Sequence, residues 1–135
     1  MGLLSTQIKD NAVHFALLLI RLSAGILMMP HGYAKLIHYA ERKDKFMNFM
    51  GLGSAFSLAL VIFAEFFCSA LLAAGLLTRL VLVPLIITAL VIVFKAHSGE
   101  IFGDAETGFL YLISYVAIFV TGPGKYSADK LLLKK

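Results

Sequence analysis

Cysteine occurs once, at Cys68, and charge is scarce: Asp, Glu, Lys and Arg make up 15% of the 135 residues. One cysteine permits no intrachain disulfide and no CxxC pair, which argues against redox chemistry by the chain's own thiols. Cys68 itself lies in an apolar run, where a small packing residue is the ordinary role. The scarcity of charge reaches further. A helix in water needs a polar face, and the stretches LYLISYVAIFV and LVLVPLIITALVIVF have none to show. Flavin, haem and iron–sulfur motifs are missing as well, and no low-complexity segment, convincing internal repeat or extramembrane lobe is discernible.

What is present is apolar: 60% of the residues are hydrophobic and the mean hydropathy is +0.89. This is the composition of one integral membrane domain in a lipid bilayer, with all-α architecture. The spans fall at about residues 13–33, 54–77, 80–97 and 106–121. The apolar runs within them are 13–29, 54–77, 80–94 and 107–121, and only the second comfortably reaches the ~20 residues that cross a ~30 Å hydrocarbon core. Arg79, Lys95 and Lys125 flank the shorter ones and can snorkel to the interface. The first span is expected to stay, because it carries Arg21 and no small-residue cleavage site follows it. The opening MGLLST matches a myristoylation pattern of little specificity.

Helices in lipid associate through small residues and a few polar contacts. Span two offers Ala55 and Ala59, then Ala70 and Ala74, then Gly75. The expected fold is a compact antiparallel four-helix bundle. Both termini then share one side with Lys9, Arg79, Lys125, Lys130, Lys134 and Lys135, against Lys35, Arg42, Lys43, Lys45 and Lys95 on the other. That small excess favours cytoplasmic termini, and the basic end KLLLKK suits an anionic leaflet. Although the net charge is +4, it is spread over both faces rather than gathered into a stripe, so no nucleic-acid partner is expected. The loop IHYAERKDKFMNFMGLG sets Tyr39, Phe46, Phe49 and Met50 against Glu41, Arg42, Lys43 and Asp44, the pattern of a short interfacial amphipathic helix.

Ionisable groups inside a span are costly and usually face the protein interior with a partner. Arg21 sits about eight residues into span one, ~12 Å of helix rise, and Glu65 about twelve residues before the end of span two, ~18 Å. In antiparallel helices these depths are measured from one face, so an Arg21–Glu65 ion pair is expected in the core. On span one, Arg21, Gly25, Met28, Gly32 and Lys35 share a face, with His31 on its flank. Gly25 and Gly32 clear room there for a helix or a ligand. His31, Lys35, Lys95, His97 and Glu106 gather toward the end opposite the termini, and span four adds Tyr111, Ser114 and Tyr115. Each has a plainer reading: a structural salt bridge for Arg21 and Glu65, interfacial histidines, snorkelling lysines, and belt tyrosines. His31, His97 and Glu106 would be the donors of a metal site, but without HxxxH or CxxC spacing no metal is expected.

Taken in order, RLSAG (21–25), HGYAKL (31–36), Glu65, GLLTRL (75–80), His97, FLYL (109–112) and GPGKYSAD (122–129) resemble the DoxX family of small four-helix membrane proteins. The resemblance runs from Arg21 to Asp129. It implies a membrane-embedded subunit associated with an oxidoreductase, among them quinone-linked thiosulfate-oxidising DoxD relatives, or with an oxidative-stress system, in a bacterial inner membrane. The DoxD relatives often carry further domains or partner subunits, and since none is discernible in these residues, independent catalysis is not expected.

The leading expectation is therefore an accessory or quinone-interacting subunit. A quinone head group needs a hydrogen-bonding or acid–base group at each carbonyl within an apolar cleft. His31, Lys35, Lys95, His97 and Tyr111 are the candidates for binding it, with Arg21 and Glu65 as the polar core. No covalently held cofactor is implied, and electrons would come from a partner protein. A non-enzymatic membrane adaptor, acting with a partner or as a homo-oligomer, is the alternative. A small-solute or proton transporter comes third, since no inverted repeat is seen.

Overall fold

The computed structural model describes residues 2–96 and 98–133, and among them every regular element is helical. Helix α1 spans Asp10–Ile37, with Asp10 in its first turn, where the helix dipole favours an acid. A single turn, α2, covers Tyr39–Arg42. Helix α3 runs Ser54–Ala74 and α4 runs Thr78–Lys95. Helix α5 is Glu106–Thr121 and the short α6 is Ala128–Leu133. Helices α1, α3 and α4 are long and apolar enough to cross a membrane, and α5 is a shorter apolar helix.

The stops follow from local chemistry. Gly75 ends α3 in the left-handed conformation at φ +75°, which L-residues adopt only at a cost. Gly122 and Gly124, both at positive φ, flank Pro123 and halt α5. The chain then turns back, so that GPGKYSAD lies against the start of α4 and the side of α1.

Packing runs α1 on α3, α3 on α4, α4 on α5 and α5 back on α1. The tightest approach is α1 on α3. A Cβ on Gly25 would stand 2.7 Å from the Ser69 carbonyl oxygen, and one on Gly32 would stand 2.6 Å from the Phe66 backbone nitrogen. Both glycines thus admit the partner helix backbone itself, the contact on which helix association in lipid relies. Ala24, Met28, Cys68, Leu72, Leu82, Leu85, Tyr115 and Ile118 fill the space between. The outside is also apolar: Phe15, Leu19, Ile26, Phe63, Phe67, Val83, Ile87, Ile113 and Phe119 are exposed. Among the described residues two charged side chains are buried instead, Arg21 and Glu65, each 2% exposed. That inversion suits a protein whose solvent is hydrocarbon.

Two turns widen to the π form, Phe63–Cys68 within α3 and Ile92–Ala96 at the end of α4. Such wide turns disrupt the regular backbone ladder and occur often at functional sites. Each carries one charge of the site, Glu65 in the first and Lys95 in the second.

The loop between α1 and α3 departs from the expected interfacial helix. Beyond α2 it has no regular structure, and it folds inward. The Phe49 N–H donates to Ser57 Oγ at 2.9 Å, Gly53 N–H to Asn48 Oδ1 at 2.8 Å, and Ser54 Oγ to the Lys43 carbonyl. These bonds turn Phe46, Met47 and Phe49 onto the helices. Burial of aromatic surface against protein wins over exposure at an interface.

Candidate functional site

The α1–α3 contact fixes which charges meet. Gly32 lies level with Glu65 and Phe66, and Gly25 level with Ser69 and Ala73. Arg21, eleven positions before Gly32, is therefore displaced by ~16 Å of helix rise from Glu65. The expected Arg21–Glu65 pair does not form. Glu65 Oε1 instead accepts from Lys35 Nζ at 2.5 Å. The expectation failed because it measured depth from the start of one apolar run and the end of the other, and those two points are not level. Helix α1 begins at Asp10, ahead of the run, and the end of α3 packs beside Arg21 rather than beside Val13.

Arg21 is fully employed elsewhere. Its Nε donates to the Ala73 carbonyl at 3.3 Å, Nη1 to Pro123 at 2.9 Å and Nη2 to Tyr126 at 2.7 Å. The guanidinium has a rigid fork of donors and no acceptor, so it can tie three chain segments at once. Asp129 completes the knot: its Oδ1 accepts from Leu77 N–H at 2.7 Å and Oδ2 from Thr78 N–H at 2.9 Å, capping α4. Partial burial works to raise the Asp129 pKa, but hydrogen bonds from Thr78 and Leu77 and the charge of Arg21 outweigh it and hold the carboxyl below the usual aspartate range. The space over Gly75 is closed, since a Cβ there would stand 2.5 Å from Ser127 Cβ. RLSAG, GLLTR and GPGKYSAD thus form one structural clamp. Ser127 starts α6, accepting from Lys130 N–H at 3.3 Å, whereas Asp129 serves α4.

The other end is a cavity of about 880 Å³. Its walls are mainly apolar, from Met28, Leu60, Val61, Phe63, Ile87 and Val91, closed by Phe46, Met47 and Phe49 of the folded loop. His31, Lys35, Glu65, Lys95 and Tyr111 all line it. His31 and Tyr111 stack edge to face with centroids 6.3 Å apart. Among the described residues, no hydrogen bond or ion pair occupies His31, Lys95 or Tyr111. Thr88 and Ser57 are committed to backbone carbonyls, at Pro84 and Gly53. His97 lies outside the described residues. Among the described residues no three His, Cys, Asp or Glu side chains gather as a metal site would require.

The cavity therefore joins an apolar volume in the usual range for small-molecule sites to three uncommitted donors and an ion pair whose carboxylate is buried. Such a site can orient a flat amphipathic molecule by its polar edges and hold or move a proton at Glu65, Lys35 or His31. Sequence reasoning missed the loop residues Phe46, Met47 and Phe49 as walls of the cavity, although their aromatic and sulfur side chains among charges were visible. It also missed the Lys35–Glu65 pair. The signal for that pair was the Gly25 to Gly32 spacing, which sets the register of α1 on α3.

A family model described as DoxX matches residues 16–98. The inner membrane protein YqjF of Escherichia coli (strain K12) is 32% identical over 122 residues, which cover 87% of this chain and 92% of that protein. No solved structure matches.

Proposed function

The chain belongs to the DoxX family of membrane proteins, and from that premise we propose that it is a quinone-interacting accessory subunit of a membrane oxidoreductase or oxidative-stress system. In this reading α1, α3, α4 and α5 form an antiparallel bundle in the bacterial inner membrane, with the termini cytoplasmic. The similarity to an inner membrane protein supports the membrane, and the cyclic order of helix contacts supports the bundle.

The observation that carries the reading is the convergence of His31, Lys95 and Tyr111, with the Lys35–Glu65 pair, on one apolar cavity. A quinone supplies two carbonyl acceptors on a flat ring and takes up electrons and protons. Donors at His31, Lys95 and Tyr111 suit those carbonyls. Lys35, held by Glu65, keeps a charge at the cavity wall whose desolvation the pairing offsets. Phe46, Met47 and Phe49 exclude water over the head group. Electrons reach the site from a partner protein.

The test is to purify the protein from native membranes, extract bound lipids and titrate a short-chain quinone into the delipidated sample. Co-purifying quinone and saturable binding weakened by Lys95→Gln are expected. Absence of quinone in the extract together with no binding on titration would overturn the proposal.

A further inference from the structure

A second cavity, of about 670 Å³, lies at the clamp end, between the start of α1, the start of α4 and the end of α5. His14 lines it and His31 lines the first cavity, seventeen positions apart on α1 or ~26 Å of rise, so the two are separate. We propose that this cavity seats the phosphate of an anionic membrane phospholipid.

Its charge is one-sided. His14, Arg79, Lys125 and Lys130 line it, and Asp129 is the one acid among its described lining residues. Both carboxylate oxygens of Asp129 already accept backbone N–H groups of α4. Arg79 is held in place by Nε on the Phe119 carbonyl at 3.0 Å and Nη2 on Val120 at 3.4 Å. Among the described residues that leaves Nη1 of a planar fork suited to phosphate. His14 Nδ1 accepts the Lys125 N–H at 3.0 Å, so in the neutral ring the proton sits on Nε2 as a donor. Lys125 reaches Asn11 and lies 5.2 Å from the Tyr126 ring centroid, which places its ammonium at the rim.

The surroundings select a lipid over a free anion. Leu80 lines the cavity and is 66% exposed, and Val120 beside it is 72% exposed. Acyl chains can lie along that apolar wall while the head group meets the cations. Basic recesses between membrane helices recognise acidic head groups in this manner.

The probes are short-chain phosphatidylglycerol, phosphatidylcholine and inorganic phosphate, measured by native mass spectrometry of the full chain released from neutral detergent. Phosphatidylglycerol is expected to be retained at about tenfold lower concentration than phosphatidylcholine. Arg79→Gln and Lys125→Gln should each weaken its retention about fivefold, the effect of one cation near a surface. Arg42→Gln, at the other end, should change nothing. Among the described residues, Lys125→Gln removes contacts only to Asn11 and the Tyr126 ring, so it remains informative should Arg79→Gln lose helicity by circular dichroism. Equal retention of the two lipids, no loss in Lys125→Gln, or displacement of the lipid by millimolar inorganic phosphate would overturn the proposal.

Discussion

The two ends of this molecule bury charge to opposite purposes. At the clamp end Arg21 spends its fork on three backbone carbonyls, and Asp129 spends both oxygens on the start of α4. At the cavity end Lys35 and Glu65 hold, among the described residues, only each other, while His31, Lys95 and Tyr111 face an open volume. Within one bundle, then, a buried ion is not a sign of function. The distinction lies in whether the neighbouring donors are already used. Satisfied groups lock geometry, and uncommitted donors around a cavity are free to meet a ligand.

The comparison breaks most visibly at Arg21. Arg21→Met leaves the Ala73, Pro123 and Tyr126 carbonyls without their donor, and it should cost about 3–5 kcal/mol, the scale for stripping one partner from a buried charged network. Denaturing-detergent titration of the purified protein measures it. Next is Gly32→Ala, whose Cβ would meet the α3 backbone. With no flexible side chain to give way, α1 and α3 must separate, costing about 1–3 kcal/mol and enlarging the cavity, which a loss of quinone-analogue affinity would report.

Asp129→Asn should be milder, about 0.5–2 kcal/mol for a lost helix cap. It also carries a pH signature. Because the folded carboxyl lies below the usual aspartate range, its stabilisation is fully present above the unfolded pKa and disappears as pH falls through the folded one. Unfolding followed from neutral to acid pH should therefore decline less steeply in Asp129→Asn than in the parent. The smallest stability effects belong to the cavity donors. Lys95→Gln and Tyr111→Phe should stay within about 0.5 kcal/mol of the parent yet weaken a quinone analogue about three- to tenfold, the worth of one hydrogen bond. A stability loss as large as that of Arg21→Met would erase the distinction between the ends.

Much of this was legible in the residues. Hydropathy marks the apolar helices, the glycines of GPGKYSAD mark the end of α5, and His31, Lys35, Lys95 and Tyr111 line one cavity. The pairing of Glu65 was not legible from depth, because an apolar run reports what lipid can touch and not where one helix lies against another. That register is set by Gly25 and Gly32, where the α3 backbone enters α1. The inward fold of the loop was hidden for a related reason. Amphipathic spacing says that Phe46 and Phe49 need cover, and only the bonds at Ser57, Asn48 and Lys43 decide that protein provides it. The cap that Asp129 places on α4 was not legible either, since a partner 51 positions away leaves no local signal.

The most direct test of the division between the ends is a pair of double-mutant cycles on unfolding free energy, Lys35→Met with Glu65→Leu and Arg21→Met with Glu65→Leu. The structure predicts coupling of about 1 kcal/mol or more for Lys35 and Glu65, and coupling within about 0.5 kcal/mol of zero for Arg21 and Glu65, as befits sites without shared partners. Strong coupling of Arg21 to Glu65, with Lys35 and Glu65 additive, would contradict the account.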